Sequence, residues 1–275
     1  MKLIFLGTGG GRFATINQER MTGGFRIDGF ADKNFHVDPG PGALVRLHDF
    51  GLNPGNLDVL FISHSHADHY NDGEIIVEAM TEGMSKQNGL IVGSKSILEG
   101  YKQWGPCISN YHKSKSNTLV LSDNQSINLN GFTIKGTKTM HGDPTGIGFQ
   151  LKSDDLTISY TSDTGYFDTL HKYHKGADIL IASVLRPKNK FIKYRHMSSS
   201  QLIELINEVK PKLTIMTHYG LKMINAPPEN EAKNIEKKTG RSTIAAFDGM
   251  SLTVNDKNAN DFNIETLKKK IIKNK

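Results

Sequence analysis

The chain has 275 residues, 37% of them hydrophobic and 23% charged, with a formal net charge of +6. That length can bury a sizeable core in one large domain or two small ones, and the balance excludes a disordered or fibrous protein. No apolar run approaches the roughly 18 residues of a membrane helix, the segment Met1–Gly7 is too short for a signal-peptide core, and Cys107 stands alone, which excludes an internal disulfide and a cysteine-based zinc knuckle. A cytoplasmic protein with no membrane partner is the expectation.

Lys2 to Leu6 reads as a short buried strand, and Gly7-Thr8-Gly9-Gly10-Gly11 as a tight loop. Arg12 stands where a dinucleotide fingerprint needs its third glycine, and no Gly-Lys-Ser/Thr follows, so neither nucleotide motif is present. The glycines instead let the backbone pass close to a site or a neighbouring strand. Gly23–Asp28 and Asn34–Val37 are two further strands, Asp38 to Gly42 a turn, and Ala43–Phe50 a helix. Leu57–Ser63 is a strand, and Asp72–Glu82 a helix with Ile75, Ile76, Ala79 and Met80 as its apolar stripe. A strand at Gly89–Val92 precedes a helix over Lys95–Trp104. Strands follow at 119–121, 126–129 and 132–137, and then a hairpin of Ile147–Leu151 with Leu156–Tyr160. Phe167–His174 is a helix on which His171 and His174 are expected to face solvent, and Ile179–Val184 a strand. Ser198-Ser199-Ser200-Gln201 can cap a helix running to Val209. Lys212–Thr217, a helix through 229–238 and strands at 242–247 and 251–254 complete residues 1–255, read as one α/β domain. Residues 256–275 read as a lysine-rich, helical tail. Within it Lys268, Lys269, Lys270, Lys273 and Lys275 against Asp261 and Glu265 carry +3, half of the excess charge. Such a tail can attract nucleic acid.

The stretch Ser63-His64-Ser65-His66-Ala67-Asp68-His69 follows directly on a strand. Residues two apart in an extended segment face the same way, so His64 and His66 can bind one cation together. Asp68 and His69 fall where the chain turns and can serve a second. Imidazole and carboxylate donors suit zinc or a similar first-row metal better than calcium or magnesium. Other strands end at His141, Asp163 and His218. Gathered along one sheet edge, the seven residues would suffice for two metals with three ligands each and one shared carboxylate.

The HxHxDH motif followed by a lone His, a lone Asp and a last His resembles the metallo-β-lactamase superfamily, over nearly the whole chain from Phe5-Leu6-Gly7-Thr8-Gly9 to Phe247-Asp248-Gly249-Met250. The resemblance implies a four-layer αββα sandwich and two divalent metal ions per chain, usually zinc, with manganese or iron as alternatives. It implies His64, His66 and His141 on the first metal, Asp68, His69 and His218 on the second, and Asp163 bridging. Two adjacent cations acidify a shared water and neutralise phosphate oxygens, and Asp68 can orient that water as well as bind metal. His196, 22 residues before His218, resembles the histidine thought to assist leaving-group protonation in the tRNA 3′-endonucleases, the ribonuclease Z-like branch. Asp38 and Asp248 are expected to support ligand histidines or their loops. Ser198 and Ser199 are expected to offer a helix start to a substrate phosphate.

The chain also departs from that branch. Only 21 residues lie between His141 and Asp163, enough for the hairpin and not for the tRNA-gripping arm, and Ala67 stands where glycine is usual. The expected function is therefore a compact metal-dependent phosphodiesterase acting on a small or accessible substrate. The alternatives are hydrolysis of another ester, a lactone or thioester, and a nucleic-acid-binding protein with an idle metal site. A homodimer is expected by resemblance only.

Overall fold

The computed structural model describes residues 1–129, 131–188, 195–255 and 258–269. Its strands form two sheets. The first contains β1 (Lys2–Phe5), β2 (Phe25–Phe30), β3 (Lys33–Val37), β4 (Val59–Ile62), β5 (Leu90–Gly93) and β6 (Asn117–Val120). The second contains β7 (Ser126–Leu129), β8 (Phe132–Lys138), β9 (Ile147–Lys152), β10 (Thr157–Tyr160), β11 (Ile179–Ser183), β12 (Leu213–Thr217) and β13 (Ser242–Ala245). The chain then returns to the first sheet as β14 (Met250–Asn255) and β15 (Asn258–Thr266). The orders are β15-β14-β1-β2-β3-β4-β5-β6 and β13-β12-β11-β10-β9-β8-β7.

Strand alternation explains the layers. Leu3 and Phe5 of β1 face the second sheet, whereas Ile4 faces the helices outside; Phe61 and Leu60 of β4 divide the same way. In the second sheet Ile179 and Ile181 point inward, and Leu180 and Ala182 point to the outer helices. Both faces of each central strand are covered, so these strands read as unbroken apolar runs. The layers are helix, sheet, sheet, helix. Each fully buried Leu, Ile or Phe contributes roughly 1.5–3 kcal/mol. Helix Ser199–Val209 covers the second sheet with Leu202, Leu205, Ile206 and Val209, and starts with a Ser198/Gln201 capping box. No described helix is long and apolar enough to cross a membrane.

Several expectations are corrected. The helix foreseen within 256–275 is a strand over Asn258–Thr266, antiparallel to β14 with Leu252 opposite Ile264 and Val254 opposite Phe262. The open edge of β14 is a template that local helix propensity does not overcome. Lys269 pairs with Asp49 at 3.1 Å, while Lys270, Lys273 and Lys275 lie outside the described residues. The helix over Lys95–Trp104 stops at Leu98, because Gly100 turns with φ +84° and Tyr101 and Trp104 pair their backbones. Helix Gly73–Met80 buries Ile76, Val77 and Met80, and leaves Ile75 exposed. His174 is fully buried, with Nδ1 2.7 Å from Ser159 Oγ. A helix at Arg12–Asn17, which no periodicity announces, follows the glycine loop.

Candidate metal centre

β4, β8, β10 and β12 deliver their C-terminal ends to one edge of the sandwich, where Ile147 N donates to Ser63 O across the two sheets at 3.1 Å. Beyond β4 lie His64 and His66, and the short helix Ala67–Tyr70 carries Asp68 and His69. Beyond β8, β10 and β12 lie His141, Asp163 and His218. The fold thus brings all seven candidate donors together. Their donor atoms fall into sets within 4.8 Å of one another, among them His64/His66/His141, Asp68/His69/His218, His64/His69/Asp163 and His141/Asp163/His196.

The outer ring nitrogens determine which atoms point inward. His69 Nδ1–H donates to Asp38 Oδ2 at 2.9 Å. His64 Nδ1 lies 2.9 Å from Ser63 Oγ, whose hydroxyl donates to Asp38 Oδ2 at 2.8 Å. His141 Nδ1–H donates to the Arg195 carbonyl at 2.9 Å. With Nδ1 protonated in each, the Nε2 atoms face the centre with lone pairs. His66 presents Nδ1, 2.9 Å from both His64 Nε2 and His141 Nε2. Three lone pairs aimed at one point repel one another unless a cation stands between them. The second trio closes similarly, with His69 Nε2 3.2 Å from His218 Nε2 and His218 Nε2 3.5 Å from Asp68 Oδ2.

Asp163 sits between the trios. Its Oδ2 lies 3.2 Å from His218 Nε2, 3.4 Å from His69 Nε2, 3.6 Å from His196 Nδ1 and 3.8 Å from His141 Nε2. Its Oδ1 is buried and, among the described residues, has no hydrogen-bond partner. A buried carboxylate oxygen left unpaired is costly, and a cation is the partner such a site fits. Burial alone would raise the carboxyl of Asp163, but the imidazoles of His218 and His69 hold it well below the usual carboxylate range. Asp68 is lowered likewise against its burial, by His69 and His218. Burial keeps His64, His66 and His141 low and therefore neutral. His69 is pushed far up despite burial, by Asp163, Asp68 and Asp38. The neutral imidazoles of His64, His66 and His141 and the ionised carboxylates are the donor forms that divalent cations require, and a cation entering beside His69 would displace its extra proton.

The support around the donors is also resolved. Asp38 accepts from Ser63 N, Ser63 Oγ, His69 and the buried Tyr160 hydroxyl. Among the described residues Asp248 is hydrogen-bonded to the glycine loop and not to a histidine. It accepts from Thr8 N, Thr8 Oγ1 and Met21 N and pins the glycine loop, whose Thr8 and Gly10 exchange backbone bonds with Tyr219. Gly10 is required there, since a Cβ would lie 2.2 Å from the His218 ring. Gly11 N donates to Asp68 Oδ2 at 3.1 Å. Asp38, Ser162 and His218 all take left-handed backbone angles, φ +53°, +54° and +61°, and such strain in non-glycine residues clusters at functional sites.

Ser198 and Ser199, expected to offer a helix start to a phosphate, present no exposed group. Both are buried, Ser198 in its capping box and Ser199 with its N–H donated to Arg186 O. Supporting residues that the sequence reading did not single out include Tyr160 and Asp143, whose carboxylate accepts from Ser65 N, Ser65 Oγ, Ser96 Oγ and Thr145 N and so fixes the loops of His66 and His141. The position of Asp143 two residues after His141 was the available signal; for Tyr160, inside a strand, there was none. The centre opens into a cleft of about 550 Å3 lined by Arg12, Phe13, Ile16, Asp68, Asp163 and His196. Phe13 and Ile16, which a core reading of apolar residues would bury, are each 68% exposed there.

A family model described as the beta-lactamase superfamily domain matches residues 33–219, which span β3 to the His218 turn. The chain belongs to the metallo-β-lactamase superfamily. Among its superfamily relatives, an uncharacterized protein of Methanocaldococcus jannaschii is 48% identical over 255 residues, 92% of this chain and 94% of that protein. The crystal structure of the metallo-β-lactamase fold protein YhfI from Bacillus subtilis superposes with a TM-score of 0.75 at 23% identity, covering 91% of this chain and 98% of that one. Human tRNase Z, short form, does so with a TM-score of 0.66 at 17% identity, covering 92% and 99%. The αββα sandwich is the fold of this superfamily, and the chain is a metallo-hydrolase of it.

Proposed function

We propose that the protein is a phosphodiesterase working with two divalent cations, zinc in the first place and manganese or iron as alternatives. One arrangement carries this reading: Asp163 Oδ2 lies between two donor trios, with the His196 ring 3.6 Å away on the side of the open cleft. When bound, the two cations would supply a water acidic enough to ionise at neutral pH and positive charge for the non-bridging oxygens of the substrate. His64, His66 and His141 would hold the first, Asp68, His69 and His218 the second, and Asp163 would bridge.

The chain's own groups do the rest. Asp68, fixed by Gly11 N, orients the attacking water. His196, 22% exposed where Asp163 is 2%, is the ring that can meet the departing oxygen. Burial holds its imidazole down at about 3, against the pull of Asp163, so it needs the negative charge of an entering phosphodiester to carry a proton to the leaving group. The likeness to tRNase Z supports the phosphodiester choice, and the short 142–162 hairpin supports a small or accessible substrate.

The test is turnover of bis-p-nitrophenyl phosphate by zinc- or manganese-loaded protein. Asp68→Ala should abolish it. His196→Ala should lower kcat about 10²–10⁴-fold with metal content near two per chain by elemental analysis. Turnover of lactones or thioesters without phosphodiester cleavage overturns the reading, and loss of metal in His196→Ala would make that residue a ligand or support instead of an acid.

A further inference from the structure

Beside the reaction cleft lies a second cavity of about 240 Å3, and the two share Gly11, Arg12 and Phe13. Helix Arg12–Asn17 is the partition between them. On its far side the cavity is walled by Leu185 and Leu221 and carries Arg186 and Lys222 in addition to Arg12. Among the described residues no acidic side chain lines it, and neither Arg12 nor Lys222 is ion-paired. The Phe13 ring stands 68% exposed at the join. An apolar-walled cavity rimmed by cations, with a bare aromatic ring leading to the reaction centre, is built for a ligand that is both planar and anionic.

We infer that this cavity is a substrate subsite for an aromatic group bearing an anion beyond the scissile phosphate: a nucleobase stacked on Phe13, with the neighbouring phosphate held by Arg12 and Lys222. The inference rests on the phosphodiesterase reading and names its substrate class as a short single-stranded nucleotide chain. Base–aromatic stacking contributes roughly 1–3 kcal/mol per base, and arginine pairs with phosphate in two-pronged fashion. The cavity falls below the roughly 300–1,000 Å3 of drug-sized pockets. It therefore excludes a duplex. A lactone or simple diester would leave Arg12 and Lys222 unpaired and Phe13 bare.

The experiment compares a trinucleotide with bis-p-nitrophenyl phosphate, which has no second anion, on metal-loaded protein. In Lys222→Glu, the ratio of kcat/KM for the trinucleotide to that for the small diester should fall about tenfold; Phe13 also lines the reaction cleft and can stack on a nitrophenyl ring, so the ratio reads the anion site alone. Lys222 is exposed on a surface helix, so its replacement does not threaten folding. A ratio within threefold of wild type in Lys222→Glu overturns the subsite. If wild-type protein cleaves neither compound, the phosphodiesterase reading fails, and anisotropy of a dye-labelled trinucleotide decides the subsite separately. Binding weakened at least fivefold by Lys222→Glu upholds it, and binding unaffected by that change removes it.

Discussion

His64, His66, Asp68 and His69 come from six consecutive residues beyond one strand of the first sheet, whereas His141, Asp163 and His218 come from three separate strand ends of the second. The two groups are held by different means. On the first side a single carboxylate, Asp38, gathers Ser63, His69 and, through Ser63, His64, and is itself braced by Tyr160 from the opposite sheet. On the second side backbone does the work. His141 is turned by the Arg195 carbonyl, while Ser162 and His218 hold left-handed angles beside their strands and Gly10 packs on the His218 ring. Side-chain substitutions should therefore untie the first group, and steric changes in the backbone's path should disturb the second.

The largest effect is expected from Asp38→Ala. Four donors lose their acceptor in a buried setting, and each orphan costs about 1–3 kcal/mol, so urea unfolding should show a loss of several kcal/mol. Metal affinity, measured against a competing chelator, should drop roughly 10–100-fold. An unchanged affinity would mean that Asp38 supports the fold and not the donors.

Gly10→Ala is the matching test of the second group. A Cβ 2.2 Å from the His218 ring forces a shift that typically costs about 1–3 kcal/mol. The His64/His66/His141 set does not touch it, so elemental analysis should show one metal weakened and the other kept. Equal loss of both would show that the two donor trios do not separate.

The smallest effect lies away from the centre. His174 is fully buried with its pKa lowered to about 3 by burial, and His36 similarly to about 4. Unfolded, each takes its proton near 6.5, so between about 6.5 and those values the unfolded chain holds more protons and falling pH favours it. Metal-loaded protein should lose about 1 kcal/mol per histidine between pH 6 and 5, and His174→Asn should flatten that slope whatever its absolute stability. A slope unchanged in the variant would return the acid sensitivity to the donor cluster.

The first group was legible in the sequence because its geometry is local: a strand fixes which side chains share a face, and a turn after it fixes the next two. Lys2–Phe5, Val59–Ile62 and the capping box at Ser198 were legible for the same reason, since period-two alternation and cap chemistry act within a few residues. The edge strand Asn258–Thr266 was not, because its partner β14 supplies the hydrogen bonds that define it. Nor was the burial of His174, which depends on Ser159 from another strand, or the burial of Ser198 and Ser199 at a helix start covered by Arg186.

By itself, the sequence determined the apolar strand that ends in the histidine cluster, the donor types and the superfamily resemblance that joined His141, Asp163 and His218 to it. Only the tertiary structure decided which ring nitrogens face inward, that Asp163 lies between the trios, that Tyr160 braces Asp38, and that Arg12 and Phe13 stand between two cavities. Each of these depends on where one sheet's edge meets the other, and such long-range packing leaves no periodic mark on the chain.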